Sequence, residues 1–227
     1  MKILLAPSER KSLGGDKNFN ISSFTQLNPL REEAIKKYDE FILKTDDYKN
    51  FGDDKTPIKN RPAKEAILRY TGVAFEYLDY NSLPQDAKDY LNENLIIFSN
   101  LFGILKPLDF IPYYTLKQGA KPGFDIYKHY KEKVTEILDS YDTEYIDLRA
   151  KFYEKIYKPK NAVTFKFIKN GKVVSHFAKA YRGTLTRHIA LAKPNSIKEV
   201  LKIDFPGIKI TEIQEKKGIK EIVCEIS

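Results

Sequence analysis

The sequence predicts a mixed α/β fold in a single domain, on three observations. Apolar stretches of strand length alternate with stretches of helical spacing along the whole chain. No composition shift, internal repeat or low-complexity tract marks a boundary within 1–227. With 227 residues, 42% of them hydrophobic, the chain has the material for a real core.

The elements follow in order. "KILLA" (2–6) is a first strand, and "PSERKSLGGDKNF" leaves it as a loop centred on Gly14-Gly15. Asn28-Pro29 opens a helix to Lys44, with Asn as cap and Pro in the first turn, and Leu30, Ala34, Ile35, Tyr38, Phe41 and Ile42 keep helical spacing. Residues 44–60 are polar and form an exposed loop. "RPAKEAILRY" (61–70) reads as a short helix stopped by Gly72, and "SLPQDAKDYLNEN" as another with Ser82 at its cap. The apolar stretch 95–119 cannot be one helix because Pro107 and Pro112 interrupt it; it reads as strand, tight turn and irregular loop. A helix over 124–141, a strand over 144–150 and a short helix around "KFYEKIY" come next. Asn170-Gly171 supplies the positive φ angles of a type I′ turn, so 162–178 is a hairpin. "NSIKEVLKI" is a helix capped by Asn195 or Ser196, and a second hairpin closes the chain.

Several classes are excluded. No run is long and apolar enough to span a bilayer, and the N-terminus reads as a strand, not an export signal, which places the chain in the cytoplasm. Cys224 is the single cysteine, so no internal disulfide forms, and its place beside Ile222 and Ile226 marks it as a core thiol. His129, His176 and His188 are scattered, without metal-ligand spacing, so neither a metal nor a cofactor is expected.

The charge is concentrated. Residues 151–193 hold eleven Lys/Arg and one acid, Glu154, a net of +10 in a chain of net +8. The remainder is close to balanced. Such asymmetry is the footprint of a polyanion binder or of a lysine-rich solvated surface.

Within that segment lies "AKAYRGTLTRHI" (178–189). On a helix, Lys179, Arg182, Gly183, Thr186 and Arg187 fall within about 140° of arc, opposite an apolar side. Glycine costs roughly 1 kcal/mol inside a helix, so Gly183 needs a reason, either close approach of another backbone or approach of a phosphate. Thr186 and the two arginines have the chemistry to hold phosphate oxygens. A second constellation, Ser8, Glu9, Arg10 and Lys11, leaves the first strand, where α/β folds often bind ligands; a solvated loop reads equally well, and the Walker A pattern is absent. A third, Asp147 with Arg149 near a strand end, is a salt bridge or a catalytic pair.

Taken together, these segments resemble the YaaA family of bacterial peroxide-stress-response proteins. "FSNLFGILKPLDFIPYYTLKQG" (98–119) is similar to its central signature, and "SHFAKAYRGTLTRHIA", "ILLAPSERK", "YIDLRAKFY" and "AILRYTGVAFEYL" resemble further elements in the same order. The resemblance implies a compact fold with a positively charged cleft, binding to duplex or branched DNA, and a helix-hairpin-helix-like element, for which Leu101–Asp109 around Gly103 is the candidate. It carries over Ser8, Lys106, Asp109, Lys179, Arg182, Gly183 and Arg187 as cleft positions. Lys106 stands where the family has Arg, "LKQG" where it has an acid, and Asp147 where it has Asn. These departures bear more on shared catalysis than on polyanion binding.

The expected function is therefore DNA binding in the peroxide response, gripping phosphates through Ser8, Arg10, Lys11, Lys106, Lys179, Arg182, Gly183, Thr186 and Arg187. The alternative is a DNA- or nucleotide-acting enzyme using Glu9 and Asp147 as catalytic carboxylates. A basic protein bound to RNA is a third reading. The oligomeric state is not legible.

Overall fold

The structure, a computed structural model, describes residues 1–174, 177–216 and 219–226, with Lys216 described through its backbone alone. In chain order it runs β1 (Lys2–Leu5), α1 (Asn28–Ile42), α2 (Tyr48–Phe51), β2 (Ala63–Glu65), α3 (Ala66–Arg69), α4 (Val73–Leu78) and α5 (Gln85–Asn94). Then come β3 (Leu95–Ser99), β4 (Gly103–Leu105), β5 (Phe110–Pro112), α6 (Ile126–Asp139) and β6 (Tyr145–Asp147). The chain finishes with β7 (Ala162–Lys169), β8 (Lys172–Val173), α7 (Ala178–Ala192), α8 (Ile197–Val200), β9 (Ile208–Lys216) and β10 (Ile219–Ile226).

The main sheet has the order β4-β3-β1-β6-β7-β10-β9, with β8 on the edge of β7. Strands β3, β1, β6, β7 and β10 are mutually parallel, while β4 and β9 run antiparallel at the two ends. Parallel strands covered on both faces need unbroken apolar runs. "LIIFS" of β3 is buried at every position, as are Ile3, Leu4 and Leu5 of β1. The mixed α/β fold expected from the sequence is the fold observed.

Topology positions the site. From β1 the chain crosses to β3 on one side, and later returns to place β6 on the other side of β1. The strand order therefore reverses between β1 and β6, and a crevice opens beyond the carboxyl ends of these two strands.

Local departures from the sequence expectations have physical reasons. The first half of "RPAKEAILRY" is not helical: Ala63–Glu65 pairs antiparallel with Phe110–Pro112, and the helix begins only at Ala66. Ser82 bonds Asp79 and does not cap α5, which starts after Pro84. Asn28 is already inside α1 and accepts from the Arg31 guanidinium at 2.9 Å. The Asn170-Gly171 turn has the expected positive φ angles at both residues, but Ser175 and His176 of that hairpin lie outside the described residues. Leu101–Asp109 is no helix-hairpin-helix: it is the buried turn into β4 and the loop beyond, with Gly103 at positive φ against the Tyr130 ring. Asp109 is buried in that loop and accepts from the amides of Ser22, Ser23 and Lys106.

Candidate anion-binding crevice

Two depressions meet at the crevice. The smaller, about 260 Å³, lies at the switch point, between the loop after β1 (Ala6–Arg10), the start of α4 and the chain after β6. The larger, about 660 Å³, spreads from the end of β6 across β7 to β10. Ala150 and Arg182 line both.

Helix α7 brings Lys179 and Arg182 to this place. Its apolar side packs on the sheet, where Tyr181 stacks on Phe167 at 5.4 Å between centroids. A second side packs on α4, which corrects the expectation of a solvent-facing arc. Gly183 is buried there, and a Cβ on it would sit 2.1 Å from the Ala74 carbonyl oxygen and 2.9 Å from the Tyr77 Cβ. The glycine therefore serves backbone approach, not phosphate approach. Thr186 is fully buried, and its hydroxyl donates to the Arg182 carbonyl at 2.8 Å. Arg187 donates to the carbonyls of Leu78 and Asp79, both at 3.0 Å, closing the C-terminus of α4. Gly183 and Arg187 clamp α7 to α4, Thr186 bonds within α7, and none of the three lines the crevice. What they achieve is to hold Arg182 and Lys179 at its wall.

Arg182 is half-buried, and its guanidinium makes no hydrogen bond or ion pair within 4 Å among the described residues. Burial lowers its pKa, and the Asp147 carboxylate pulls it back up. A guanidinium keeps its charge under such pressure. It thus stands as an available bidentate donor between the two depressions.

Ser8, Glu9 and Arg10 line the smaller depression. Gly72 abuts Ser8 so closely that a Cβ there would overlap the Ser8 hydroxyl. Glu9 Oε1 accepts the Gln118 amide at 3.2 Å. Arg10 is drawn outward into an ion pair with Glu76 on α4. Lys11 turns away from the lining. Its ammonium donates to the Glu9 carbonyl at 3.2 Å and sits 4.2 Å from the Tyr114 ring centroid, and burial pushes its pKa down to about 7.

Asp147 lines the larger depression, where the strand register sets it beside Thr164 of β7, with Glu221 of β10 on the far side of Thr164. Its carboxylate is held bidentately by Arg149, at 2.8 and 2.7 Å, and the Arg149 side chain is 1% exposed. The salt-bridge reading of this pair is the one observed. Glu9 and Asp147, proposed as partners in catalysis, line different depressions, and Asp147 is already occupied.

Lys106 stands at the opposite end of the sheet, where its ammonium donates to the Glu93 carbonyl near Lys2 and burial lowers its pKa to about 8. The antiparallel β3–β4 hairpin carries it there, so the structure does not bring it to the crevice. Sequence reasoning missed Gln118, Tyr153, Lys151, Lys158 and Lys160, all of which line one depression or the other. Tyr153 and Lys151 stand in or beside the segment after β6, and the charge run pointed to the lysines without distinguishing them. Among the described residues no group of His, Cys, Asp and Glu is placed to hold a metal ion, and no helix is long and apolar enough to cross a membrane.

Fold and site together define an open α/β protein whose switch-point crevice presents Arg182, without an ion pair among the described residues, beside a depression lined by lysines and carboxylates. Comparison with known proteins gives the family. The sequence model described as "Peroxide stress protein YaaA" matches residues 1–214, and the chain belongs to that family. An uncharacterized protein of Campylobacter jejuni is 46% identical, with 100% of this chain and 99% of its own length aligned. UPF0246 proteins of Colwellia psychrerythraea and Corynebacterium glutamicum are 33% and 31% identical, over 73% and 85% of this chain and 71% and 86% of their own lengths.

Proposed function

We propose that this peroxide stress protein binds DNA, running the phosphate backbone along the larger depression and over Arg182. The observation that carries the reading is the half-buried, unpartnered Arg182 guanidinium at the junction of the two depressions, with Lys179 on one side and Lys151, Lys158 and Lys160 on the other. Such an arrangement offers one fixed bidentate contact and a flexible rim of point charges, which suits phosphates in series. Contacts of this kind go to phosphates and not to base edges, so selection among DNA forms falls to shape.

The test is a titration of labelled duplex, four-way junction and single-stranded DNA with wild type and Lys179→Ala/Arg182→Ala at two salt concentrations. Affinity is expected to fall with salt and to drop at least tenfold in the double variant. Unchanged affinity in that variant removes the crevice from the interface. Stronger binding to an RNA duplex of equal length would favour RNA as the polyanion.

A further inference from the structure

We propose that the switch-point depression is a nucleobase pocket, taking one unstacked nucleotide whose phosphate rests on Arg182. The inference rests on the phosphate reading above and adds a ligand for the smaller compartment. It starts from the lining. The Ser8 hydroxyl, the Gln118 side-chain amide, Glu9 Oε2 and the Arg182 guanidinium line this pocket with no protein hydrogen-bond partner among the described residues; Glu9 and Gln118 are exposed, and Ser8 and Arg182 are half-buried, so all four are open to a ligand. Apolar surface from Leu5, Pro7, Val73, Phe75, Leu148 and Tyr153 surrounds them. An apolar cavity with a few polar groups is the general form of a small-ligand site, and about 260 Å³ falls just below the roughly 300–1,000 Å³ usual for drug-sized ligands, as suits a single base.

Glu9 narrows the ligand class. A carboxylate repels phosphate, so the part of the pocket beside Glu9 Oε2 suits a neutral hydrogen-bond donor better than a phosphate. It does accept from the amino group of a base, as an acidic side chain accepts from cytosine N4. Gln118, with an acceptor and two donors on one amide, adds the complementary contact. A ligand that is anionic at one end, flat and apolar in the middle, and an N–H donor at the other is a nucleotide. Its phosphate end meets Arg182, which lines both compartments, and a continuing strand passes into the basic depression. An unpaired or extruded nucleotide of DNA and a free mononucleotide share this chemistry.

The experiment uses the full chain with a duplex carrying 2-aminopurine at a mismatch, and separately with each 5′-mononucleotide. Wild type is expected to raise 2-aminopurine fluorescence several-fold on binding. Val73→Phe, at a partly exposed wall position, fills the pocket and is expected to abolish that rise while leaving duplex affinity within about twofold. Glu9→Gln is expected to weaken amino-bearing bases several-fold against thymidine. No fluorescence rise with intact duplex binding, together with no mononucleotide binding, overturns the pocket and leaves the phosphate reading standing. No duplex binding overturns the phosphate reading, and mononucleotide binding blocked by Val73→Phe then assigns the pocket to a free nucleotide. Mononucleotide binding that Val73→Phe does not disturb places the nucleotide elsewhere and overturns the assignment.

Discussion

Gly183→Ala separates the two reasons a glycine has for standing in α7. On its own helix the substitution is favourable by roughly 1 kcal/mol. Against α4 it is not: the added Cβ meets the Ala74 carbonyl oxygen at 2.1 Å and its carbon at 2.9 Å, and real Cβ atoms stay beyond 3.0 Å. The obstacle is backbone, so no rotamer change relieves it, and α4 must move by at least 0.9 Å. Overpacking of this kind costs about 1–3 kcal/mol, and the broken Arg187 bonds to the α4 carbonyls add about 1 kcal/mol. Net destabilisation of roughly 1–3 kcal/mol follows, and at this chain length that lowers Tm by about 2–12 °C. Differential scanning calorimetry of both proteins reads it, with a DNA titration of the folded variant alongside. A variant of equal or higher Tm that fails to bind DNA would refute the packing argument and return Gly183 to the phosphate.

Three further outcomes are expected. Lys11 has its folded-state pKa lowered to about 7, so between about 7 and the ordinary lysine value the unfolded chain binds the extra proton and stability rises with pH; relative to Lys11→Met, wild type should gain at most about 1.4 kcal/mol per pH unit across that window, and a flat difference between the two urea curves would contradict it. Arg69 is fully buried and donates to the carbonyls of Ser12, Gly14, Pro62 and Ile111, so Arg69→Met strands four acceptors and should cost about 3–5 kcal/mol in denaturant unfolding; a loss under 1 kcal/mol would mean that water replaces the guanidinium. Cys224 is buried and its thiol is pushed up to about 12, so a thiol reagent or peroxide should modify it only after denaturation, and rapid native-state reaction would reopen a thiol role in the peroxide response.

What was legible in the sequence was what local chemistry decides. The Asn-Gly turn, the helix opened by Asn28-Pro29 and the apolar run of β3 each carry their cause within a few residues, and each is observed. Ala63–Glu65 has no strand preference of its own; it is a strand because Phe110–Pro112 lies alongside, some fifty residues away. The helical wheel of 178–189 shows one apolar side, but it cannot show that α4 covers Gly183 or that Thr186 is buried as well. Small and hydroxyl-bearing residues look like solvent or ligand positions until a neighbour is known. The charge run could not tell Arg182, which has no ion pair among the described residues, from Arg187, used as a clamp. That the loop after β1 lies at a strand end of the sheet was legible from the order of elements, whereas its neighbour across the crevice became visible only with the strand order.

The distribution of partners sets how steeply binding should depend on salt. The segment 151–193 carries a net +10, but much of it is engaged within the protein. Arg187 closes α4, Lys193 pairs with Asp86, and Lys155 lies over the Phe152 ring. Of the cations at the crevice, Lys151, Lys179 and Arg182 have no ion pair among the described residues. Lys158 and Lys160 reach Glu154 at 3.9 Å and Asp139 at 2.7 Å, through ammonium groups that are largely exposed. Surface pairs of that kind are worth about 0–1 kcal/mol, so a phosphate displaces them at little cost. Three to five neutralised phosphates therefore follow, and with about 0.9 counterions released for each, log Kobs against log salt for duplex DNA should fall with a slope between about −2.7 and −4.5. Lys158→Ala/Lys160→Ala should flatten it by about 1 to 2, with affinity loss spread evenly over DNA sequences. A slope near −10 would require an interface reaching well beyond the crevice, onto the cations of β7 and β8, and a slope near zero would leave the charge run as a solvated surface.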